Sequence, residues 1–493
     1  MTERVPVAIM GAGFSGLAVA VGLLRAGRSD FVVLERAADL GGTWRDNTYP
    51  GCACDVPSHL YSFSFAPNPS WSRSFSPQPE IWAYLRRVAR DFGVLPHLRC
   101  GVEVTNACWD DAAGCWHLDT SAGPLDAEVL VAAGGGLSEP GLPDVAGLET
   151  FAGTMFHSAG WRHDHSLAGE RVAVVGTGAS AVQIVPAVAP QAAHLTLFQR
   201  TPAWVLPRRD HAIPPARQAL FRRVPWTQRA VRAAQYTGRE VLAAGLSGNT
   251  GLLTLLQRAA TAHLRAQVPD ASLRAALTPS YRLGCKRIVS SDDYYPALTR
   301  PNVSVVTSPV VRVTPAGVVT ADGTEHELDT IVWATGFQVY DTASAQLVRG
   351  RDGRSLAAVW SESMRAYLGT TVAGFPNLFL MTGPNTGQGH TSMVYMIESQ
   401  ARYVVDALTR MRAGGLGSVE VRPEVQARYN AELDRRMART VWVTGGCHSW
   451  YLDAQGRNGT LWPGQTFTFR RRTRRFDLDR YATRPAGSTV AAA

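Results

Sequence analysis

Two glycine-rich turns in the sequence have the composition and spacing of loops that bind phosphate groups. The first, GAGFSG at 11–16, follows an apolar stretch that predicts a strand from Val5 to Met10, and it precedes a predicted helix. In such a loop the first glycine makes the tight turn, the second lets a pyrophosphate approach the backbone, and the third lets helix and strand pack closely. The predicted dinucleotide-binding residues of this loop are Gly11, Gly13, Ser15 and Gly16.

The second loop, GTGASA at 176–181, repeats the arrangement after the apolar stretch Arg171–Val175. Its third small residue is Ala181, which the pattern permits because alanine also lets helix and strand approach. The predicted binding residues of this loop are Gly176, Thr177, Gly178 and Ser180.

The side chain at the end of the next predicted strand distinguishes the two loops. Glu35 lies 24 residues after Gly11 (35 − 11), and Arg200 lies 24 residues after Gly176 (200 − 176). A carboxylate at this position accepts hydrogen bonds from a ribose diol and repels a 2′-phosphate, whereas an arginine binds that phosphate. The sequence therefore predicts FAD at the first loop and NADPH, in preference to NADH, at the second.

The elements around the loops predict an α/β fold with two Rossmann-like dinucleotide-binding domains, one for FAD and one for NADPH. Apolar stretches that end in Gly134 and Gly336 resemble the strand-to-glycine turns that close each half of such proteins. Residues 208–280 show helical apolar spacing and predict a helical insertion. The predicted boundaries are 1–145 and 338–493 for the discontinuous FAD-binding domain, 146–207 and 281–337 for the NADPH-binding domain, and 208–280 for the insertion.

The composition is that of a soluble enzyme. The 493 residues are 45% hydrophobic and 18% charged, with neither a signal-peptide pattern nor an apolar run long enough to span a membrane. We therefore expect a cytoplasmic protein with no integral membrane association. The net charge is +9, but its densest run, 470–475, lacks interleaved aromatic residues and predicts a solvated strip instead of a nucleic-acid site.

The seven cysteines show neither zinc-ligand spacing nor a CxxC redox motif. We therefore expect reduced thiols, no metal site and no NADPH–disulfide reductase chemistry, since Cys52 and Cys54 have the wrong spacing for that reaction. Of the 49 basic residues only Lys286 is a lysine. It is either retained by chance or placed where a compact ammonium is needed.

Further blocks resemble the type I Baeyer–Villiger monooxygenases, a branch of the class B flavin-dependent monooxygenases, over nearly the whole chain. Residues Gly41–Asp55 are similar to the family pattern GGxWxxxxYPGxxxD without a break. Residues Phe151–Trp161 are similar to the signature FxGxxxHxxxW, although Arg162 follows where proline or aspartate is usual. Shorter similar segments are 199–202, 284–287 and 449–451.

This resemblance implies NADPH- and O2-dependent Baeyer–Villiger oxidation of a small-molecule ketone to an ester or lactone through a C4a-peroxyflavin. It makes Arg287 the fixed cation that stabilises the anionic oxygen, and Asp55 the carboxylate that orients it. For His157 two roles stay open, a hinge or scaffold residue and an acid–base catalyst.

The resemblance also implies further cofactor contacts. Lys286 would join Arg200 and Thr201 at the 2′-phosphate, and Trp450 would contact the nicotinamide ribose. The flavin side would include Gly42, Thr43, Trp44, Asp55 and Tyr61.

Two alternative functions use the same loops. An N- or S-oxygenating flavin monooxygenase would differ at Trp161, Asp55 and Arg287, which favour ketone oxygenation. A non-enzymatic NADPH sensor would not need a complete FAD site.

Overall fold

The computed structural model describes residues 2–248, 250–340 and 342–487, and it confirms the α/β fold predicted from the sequence. The first stretch of chain builds the first glycine-rich turn and most of one sheet. Its elements are β1 Glu3–Met10, α1 Phe14–Arg25, β2 Phe31–Glu35, α2 Thr43–Asp46, α3 Gln78–Asp91, β3 Leu98–Cys100, β4 Val104–Asp110, β5 Cys115–Thr120 and β6 Leu125–Ala132.

The middle stretch builds the second turn, a group of helices and a second sheet. Its elements are β7 Thr154–His157, β8 Arg171–Val175, α4 Ala179–Val188, β9 His194–Phe198, β10 Val205–Leu206, α5 Pro215–Arg223, α6 Pro225–Leu246, α7 Thr250–Gln267, α8 Ala271–Ala276, β11 Val289–Ser290, α9 Tyr294–Leu298, β12 Val303–Val306, β13 Val310–Thr314, β14 Gly317–Thr320, β15 Glu325–Glu327 and β16 Thr330–Trp333.

The last stretch returns to the first sheet and then covers it. Its elements are α10 Ala343–Leu347, β17 Val348–Arg349, α11 Leu356–Val359, β18 Leu378–Leu380, α12 Met393–Ala413, β19 Leu416–Val421, α13 Pro423–Met437, α14 Val441–Thr444, α15 Thr466–Arg472 and β20 Tyr481–Pro485.

The larger sheet has the strand order β17-β4-β5-β6-β1-β2-β3, and β18 also pairs with β6. Strands β3, β2, β1, β6 and β18 run parallel, whereas β4, β5 and β6 form an antiparallel meander. Strands from both ends of the described chain therefore share one sheet, and the middle stretch is inserted between them.

The second sheet is parallel throughout, with the order β12-β9-β8-β16-β7. Its central strands are continuous apolar runs, as expected for a parallel sheet that is covered on both faces. Val172, Val174 and Leu197 are fully buried against α4 and α9. Because the first glycine of each loop follows the central strand of its own sheet, both loops lie at the carboxyl ends of parallel strands, where such folds bind ligands.

The helices α5 to α8 lie within residues 208–280, the range of the predicted helical insertion. They pack on other parts of the chain: Phe221 contacts the ring of His59, and Leu246 is buried in one cluster with Leu283 and Trp442. No helix in the described part of the chain is both long and apolar enough to cross a bilayer.

The prediction that every cysteine is reduced was wrong. Cys285 and Cys447, which lie 162 residues apart in sequence, form a disulfide. Sequence spacing could not reveal this pair, because only the folded chain brings the two residues together. The other five cysteines, which all lie in the described residues, are free.

Candidate active site

One continuous cavity of about 1330 Å³ extends across both glycine-rich turns. Its wall contains all but two of the predicted site residues: Gly11, Gly13, Ser15, Glu35, Gly42, Thr43, Trp44, Asp55, Tyr61, Gly176, Thr177, Gly178, Ser180, Arg200, Thr201, Lys286, Arg287 and Trp450. The fold therefore gathers residues from widely separated sequence blocks around a single space.

The two exceptions are Gly16 and His157. Gly16 lies beneath the first turn, where an added Cβ would come within 1.9 Å of the Gly11 carbonyl oxygen, so its contribution is the close packing of α1. His157 ends β7, and its Nδ1 accepts a hydrogen bond from the backbone N–H of Ala159 at 3.1 Å. Burial lowers the pKa of His157, and a backbone hydrogen bond with Gly336 partly opposes this shift. This geometry fits the scaffold role, and the acid–base role of His157 stays a prediction.

Both glycine-rich turns leave room and free donors for phosphate groups. A Cβ added to Gly178 would meet nothing within 4 Å, and one added to Gly13 would meet only the Cα of Gly42 at 3.8 Å. Each glycine is the N-cap of the following helix, and neither helix has a side-chain cap. The first-turn N–H groups are thus available to an anion, which the helix dipole also favours. The chain fits a pyrophosphate at each turn.

Glu35 is buried, and its carboxylate is fixed by three donors. The backbone N–H groups of Ala12 and Ala37 donate to it at 2.9 and 3.0 Å, and Arg45 donates at 2.9 Å. These three donors fix the position of the carboxylate in the cavity wall. The sequence did not single out Arg45, although it lies directly after the predicted contact Trp44.

The second turn is lined by basic side chains in place of a carboxylate. Arg200 is exposed at the end of β9, and Lys286 lies near enough for the two charges to repel. Burial, and secondly Arg200, lower the pKa of Lys286. The Lys286 ammonium also lies 5.3 Å from the centroid of the Tyr281 ring. Two cations held together beside a cavity favour a ligand with more than one negative charge.

Asp55 and Arg287 form a bidentate ion pair in the cavity wall between the two turns. Arg287 Nε and Nη2 donate to the Asp55 carboxylate at 3.0, 2.8 and 2.7 Å. The Asp55 carboxylate raises the pKa of Arg287, against the effect of burial. Burial raises the pKa of Asp55, but the charge of Arg287 outweighs it and the net pKa is lowered. Both groups are therefore ionised, and the Arg287 side chain keeps 38% of its surface exposed.

Two further arginines that the sequence did not indicate surround Asp55. Arg239, from α6 of the insertion, donates to the backbone oxygens of Asp55 and His390, both at 3.3 Å. Arg208 donates to the backbone oxygen of Cys54 at 3.0 Å. Both charges help to lower the pKa of Asp55. No motif marks these arginines, because their partners lie far away in the sequence.

The block from Gly41 to Asp55 bridges the two turns. Trp44 Nε1 donates to the hydroxyl of Tyr61 at 3.0 Å, and this pair faces the first turn. At the other end of the block, Gln183 of α4 accepts from the Tyr49 hydroxyl at 3.2 Å. Gln183 also donates to the carbonyl oxygen of Ala53 at 2.9 Å. The block thus fixes the position of one dinucleotide fold relative to the other.

The C-terminal part of the chain closes the cavity. Trp450 is 48% exposed, and its ring centroid lies 4.4 Å from that of Tyr451, which is buried. Burial raises the pKa of Tyr451 to about 12, and the charge of Arg287 opposes that rise. Gln388, also buried at the cavity wall, has no hydrogen-bond partner for either amide atom within the described residues. It is a candidate ligand contact that the sequence did not reveal.

Cys52 and Cys54 lie in the cavity wall as free thiols. Burial raises the pKa of Cys52 to about 11, and it raises the pKa of Cys54 further. Both groups are therefore protonated at neutral pH. This excludes them as the redox pair of a disulfide reductase, which needs a reactive thiolate beside the flavin.

The chain is similar to known flavoprotein oxygenases. Residues 4–237 match the family model described as flavin-binding monooxygenase-like. A Baeyer–Villiger monooxygenase of Streptomyces coelicolor is 53% identical over 99% of this chain and 95% of its own length. One of Pseudomonas aeruginosa is 49% identical over 96% of this chain and 90% of its own length.

This chain belongs to the type I Baeyer–Villiger monooxygenases. The structure of closed cyclohexanone monooxygenase superimposes with a TM-score of 0.88 at 28% identity, covering 99% of this chain and 100% of that one. OTEMO in complex with FAD and NADP gives 0.89 at 26% identity, covering 98% and 100%. The family assignment confirms the predicted cofactors, FAD and NADPH, and the predicted Baeyer–Villiger oxidation.

Proposed function

We propose that the cavity converts a ketone and O2 into an ester or lactone, with Arg287 as the fixed cation of the reaction. When bound, FAD would accept a hydride from NADPH and activate O2. Arg287 stabilises the negative charge that develops on the carbonyl oxygen when the ketone is attacked. The observation that supports this role most directly is the bidentate Asp55–Arg287 pair in the cavity wall between the two turns.

Asp55 acts as the positioning residue for Arg287. Its carboxylate accepts hydrogen bonds from Nε and Nη2, which fixes the orientation of the guanidinium. The N–H groups of Nη1 are not bound by Asp55. Arg239 donates a hydrogen bond to the backbone oxygen of Asp55 and so helps to fix its position. A guanidinium keeps its proton throughout the reaction and so offers a constant positive charge.

Cofactor discrimination is assigned to the two basic residues at the second turn. Arg200 and Lys286, with Thr201 beside them, receive the 2′-phosphate that distinguishes NADPH from NADH. Glu35 receives the ribose diol at the first turn. Trp450, which also lines the cavity, covers the nicotinamide ribose and keeps bulk water out of the site.

The sheets support the predicted division of the chain into 1–145 with 338–493, 146–207 with 281–337, and 208–280. The last residues of the first unit, 488–493, lie outside the described residues. We place the protein in the cytoplasm, since the family's reaction uses the cytoplasmic reductant NADPH.

A competition assay tests this function. The purified yellow protein receives NADPH, isotopically heavy O2 and an equimolar mixture of a cyclic ketone and a thioether, and the products are measured by mass spectrometry. We expect ester or lactone carrying one heavy oxygen atom as the main product. Sulfoxide without ester, from a panel of cyclic and linear ketones, would favour S-oxygenation and overturn the proposal.

A further inference from the structure

The disulfide between Cys285 and Cys447 joins the two segments that carry the proposed NADPH contacts. Cys285 directly precedes Lys286 and Arg287, and Cys447 lies three residues before Trp450 (450 − 447). The first segment belongs to the middle stretch of the chain and the second to the last stretch. The bond is thus a covalent link between two segments that both line the cavity.

The surrounding contacts show that the two segments pack closely against each other. The backbone N–H of Arg282 donates to the carbonyl oxygen of Gly445 at 3.0 Å. A Cβ added to Gly445 would come within 2.6 Å of the Cβ of Cys285 and 2.8 Å of its sulfur. A Cβ added to Gly284 would come within 2.6 Å of Leu246, at the end of α6. Three separate parts of the chain therefore meet at this bond.

Besides the disulfide, hydrogen bonds hold the Trp450 segment on either side of Trp450. The backbone N–H of Arg282 donates to the carbonyl oxygen of Gly445, and the Tyr340 hydroxyl donates to the carbonyl oxygen of Tyr451 at 2.6 Å. Gly446 and His448 of this segment are exposed, as is Trp450 itself. Tyr451 is the first fully buried side chain after the bond, and it interacts electrostatically with Arg287. Without the covalent link, Trp450 would depend on these two hydrogen bonds, on its contact with the Tyr451 ring and on the ligand to keep it at the cavity wall.

We propose that the Cys285–Cys447 disulfide is a redox-sensitive clamp that positions Trp450 against Lys286 and Arg287, and that its reduction loosens the binding of NADP(H). This inference rests on the proposed roles of those three residues. Cys447 is half-buried and so open to a small dithiol, whereas Cys285 is fully buried. A dithiol reductant transfers two electrons and two protons to the pair, giving two thiols and leaving the reductant as its own disulfide.

The first measurement asks whether the bond exists in the purified holoenzyme. With reductant omitted, thiol titration in denaturant should find the five free cysteines, and all seven after treatment with dithiothreitol. Peptide mapping after alkylation should recover a linked pair that contains Cys285 and Cys447. Seven thiols in the untreated protein, or a different linked pair, overturns the proposal.

The second measurement asks what the bond does. NADP⁺ affinity is measured by calorimetry on the FAD-loaded protein before and after reduction, with the reductant removed. We expect reduction to weaken NADP⁺ binding about 3- to 10-fold, since a ligand must then pay for ordering a loosened side chain. The share of NADPH oxidation that yields hydrogen peroxide instead of ester should rise. Cys285→Ser and Cys447→Ser should reproduce the reduced state without any reductant.

Matched controls distinguish a disulfide that positions Trp450 from one that only stabilises the fold. Cys108→Ser, in β4 of the meander, should respond to reductant as the wild type does, and a Cys285→Ser/Cys447→Ser double variant should not respond at all. If reduction lowers the melting temperature but leaves NADP⁺ affinity and the peroxide share unchanged, the bond is only structural and the proposal fails. Failure of the proposed function is seen separately, because the enzyme with its disulfide intact would then form no ester.

Discussion

At the scale of single residues, Asp55 faces more positive charge than one ion pair provides. Arg287 binds its carboxylate, Arg239 binds its backbone oxygen, and Arg208 binds the neighbouring Cys54. The carboxylate is what makes this concentration of charge tolerable, since like charges in a partly buried site repel strongly. We therefore expect Asp55 to contribute to the stability of the folded state as well as to the proposed reaction.

This charge balance predicts a pH-dependent effect of Asp55→Asn. Because the pKa of Asp55 is lowered in the folded protein, its ionised form stabilises the fold at pH values above the unfolded-state pKa. That contribution is lost as the pH falls through the lowered folded-state pKa. We expect the variant to melt at a lower temperature than the wild type at pH 7, and the difference to shrink below pH about 4.

The measurement is a melting curve of both proteins from pH 7 to the lowest pH at which the wild type stays folded. Asp164→Asn is a useful comparison, because Asp164 also pairs with an arginine but 68% of its side chain is exposed. A gap between wild type and Asp55→Asn that grows toward acid would contradict the assigned charge state.

Arg200 carries a second prediction at the residue scale. A charge-assisted hydrogen bond contributes about 1.5–3 kcal/mol, so Arg200→Ala should lower kcat/KM for NADPH about 10- to 100-fold. NADH lacks the 2′-phosphate, and its kcat/KM should change little. Steady-state kinetics with both cofactors, beside Arg300→Ala as an exposed-arginine control, decides the matter. An equal loss for NADH would mean that Arg200 has no role in discrimination.

At the scale of elements, the contact between the Gly41–Asp55 block and α4 holds the two dinucleotide folds together. Gly51 has a φ of +79°, and a Cβ there would lie 2.7 Å from the carbonyl oxygen of Gln183. Glycine is required both by the backbone conformation and by the close approach. The YPG triplet of the sequence pattern thus has a structural cause.

This contact predicts different effects for two glycine substitutions. Gly51→Ala and Gly169→Ala both place alanine at a positive φ, +79° and +76°, but an added Cβ at Gly169 meets nothing within 4 Å. The overpacking at Gly51 should cost about 1–3 kcal/mol more, which for a chain of this length lowers the melting temperature by about 1–3 °C relative to Gly169→Ala. Equal melting temperatures would show that α4 shifts freely and that the contact is not tight.

The sequence predicted those features that depend on short-range patterns. Both glycine loops, their flanking strands and the different residues Glu35 and Arg200 all follow from local spacing. The site's remaining parts depend on approach between distant segments. Arg239 reaches Asp55 across 184 residues, and Cys285 reaches Cys447 across 162. Neither residue type nor spacing encodes such pairs, so the sequence led us to expect reduced cysteines and left Arg239 unnoticed.

At the scale of the whole molecule, the active site exists only where three parts of the chain meet. Asp55 comes from the first stretch, Arg287 from the middle stretch, and Trp450 from the last. Arg239 and the disulfide link these parts at separate points. A change in the relative position of these three parts would therefore alter the site.

The central claim is that Arg287 supplies the charge that makes ketone oxygenation possible. The most direct test compares ester formation from one ketone by wild type, Arg287→Lys, Arg287→Ala and the control Arg300→Ala, all loaded with FAD and supplied with NADPH. Loss of one group that stabilises developing charge typically costs about 10²–10³ in rate. We predict that loss for Arg287→Ala while the flavin is still reduced by NADPH, and near wild-type ester formation for Arg300→Ala. Full ester formation by Arg287→Ala would contradict the account.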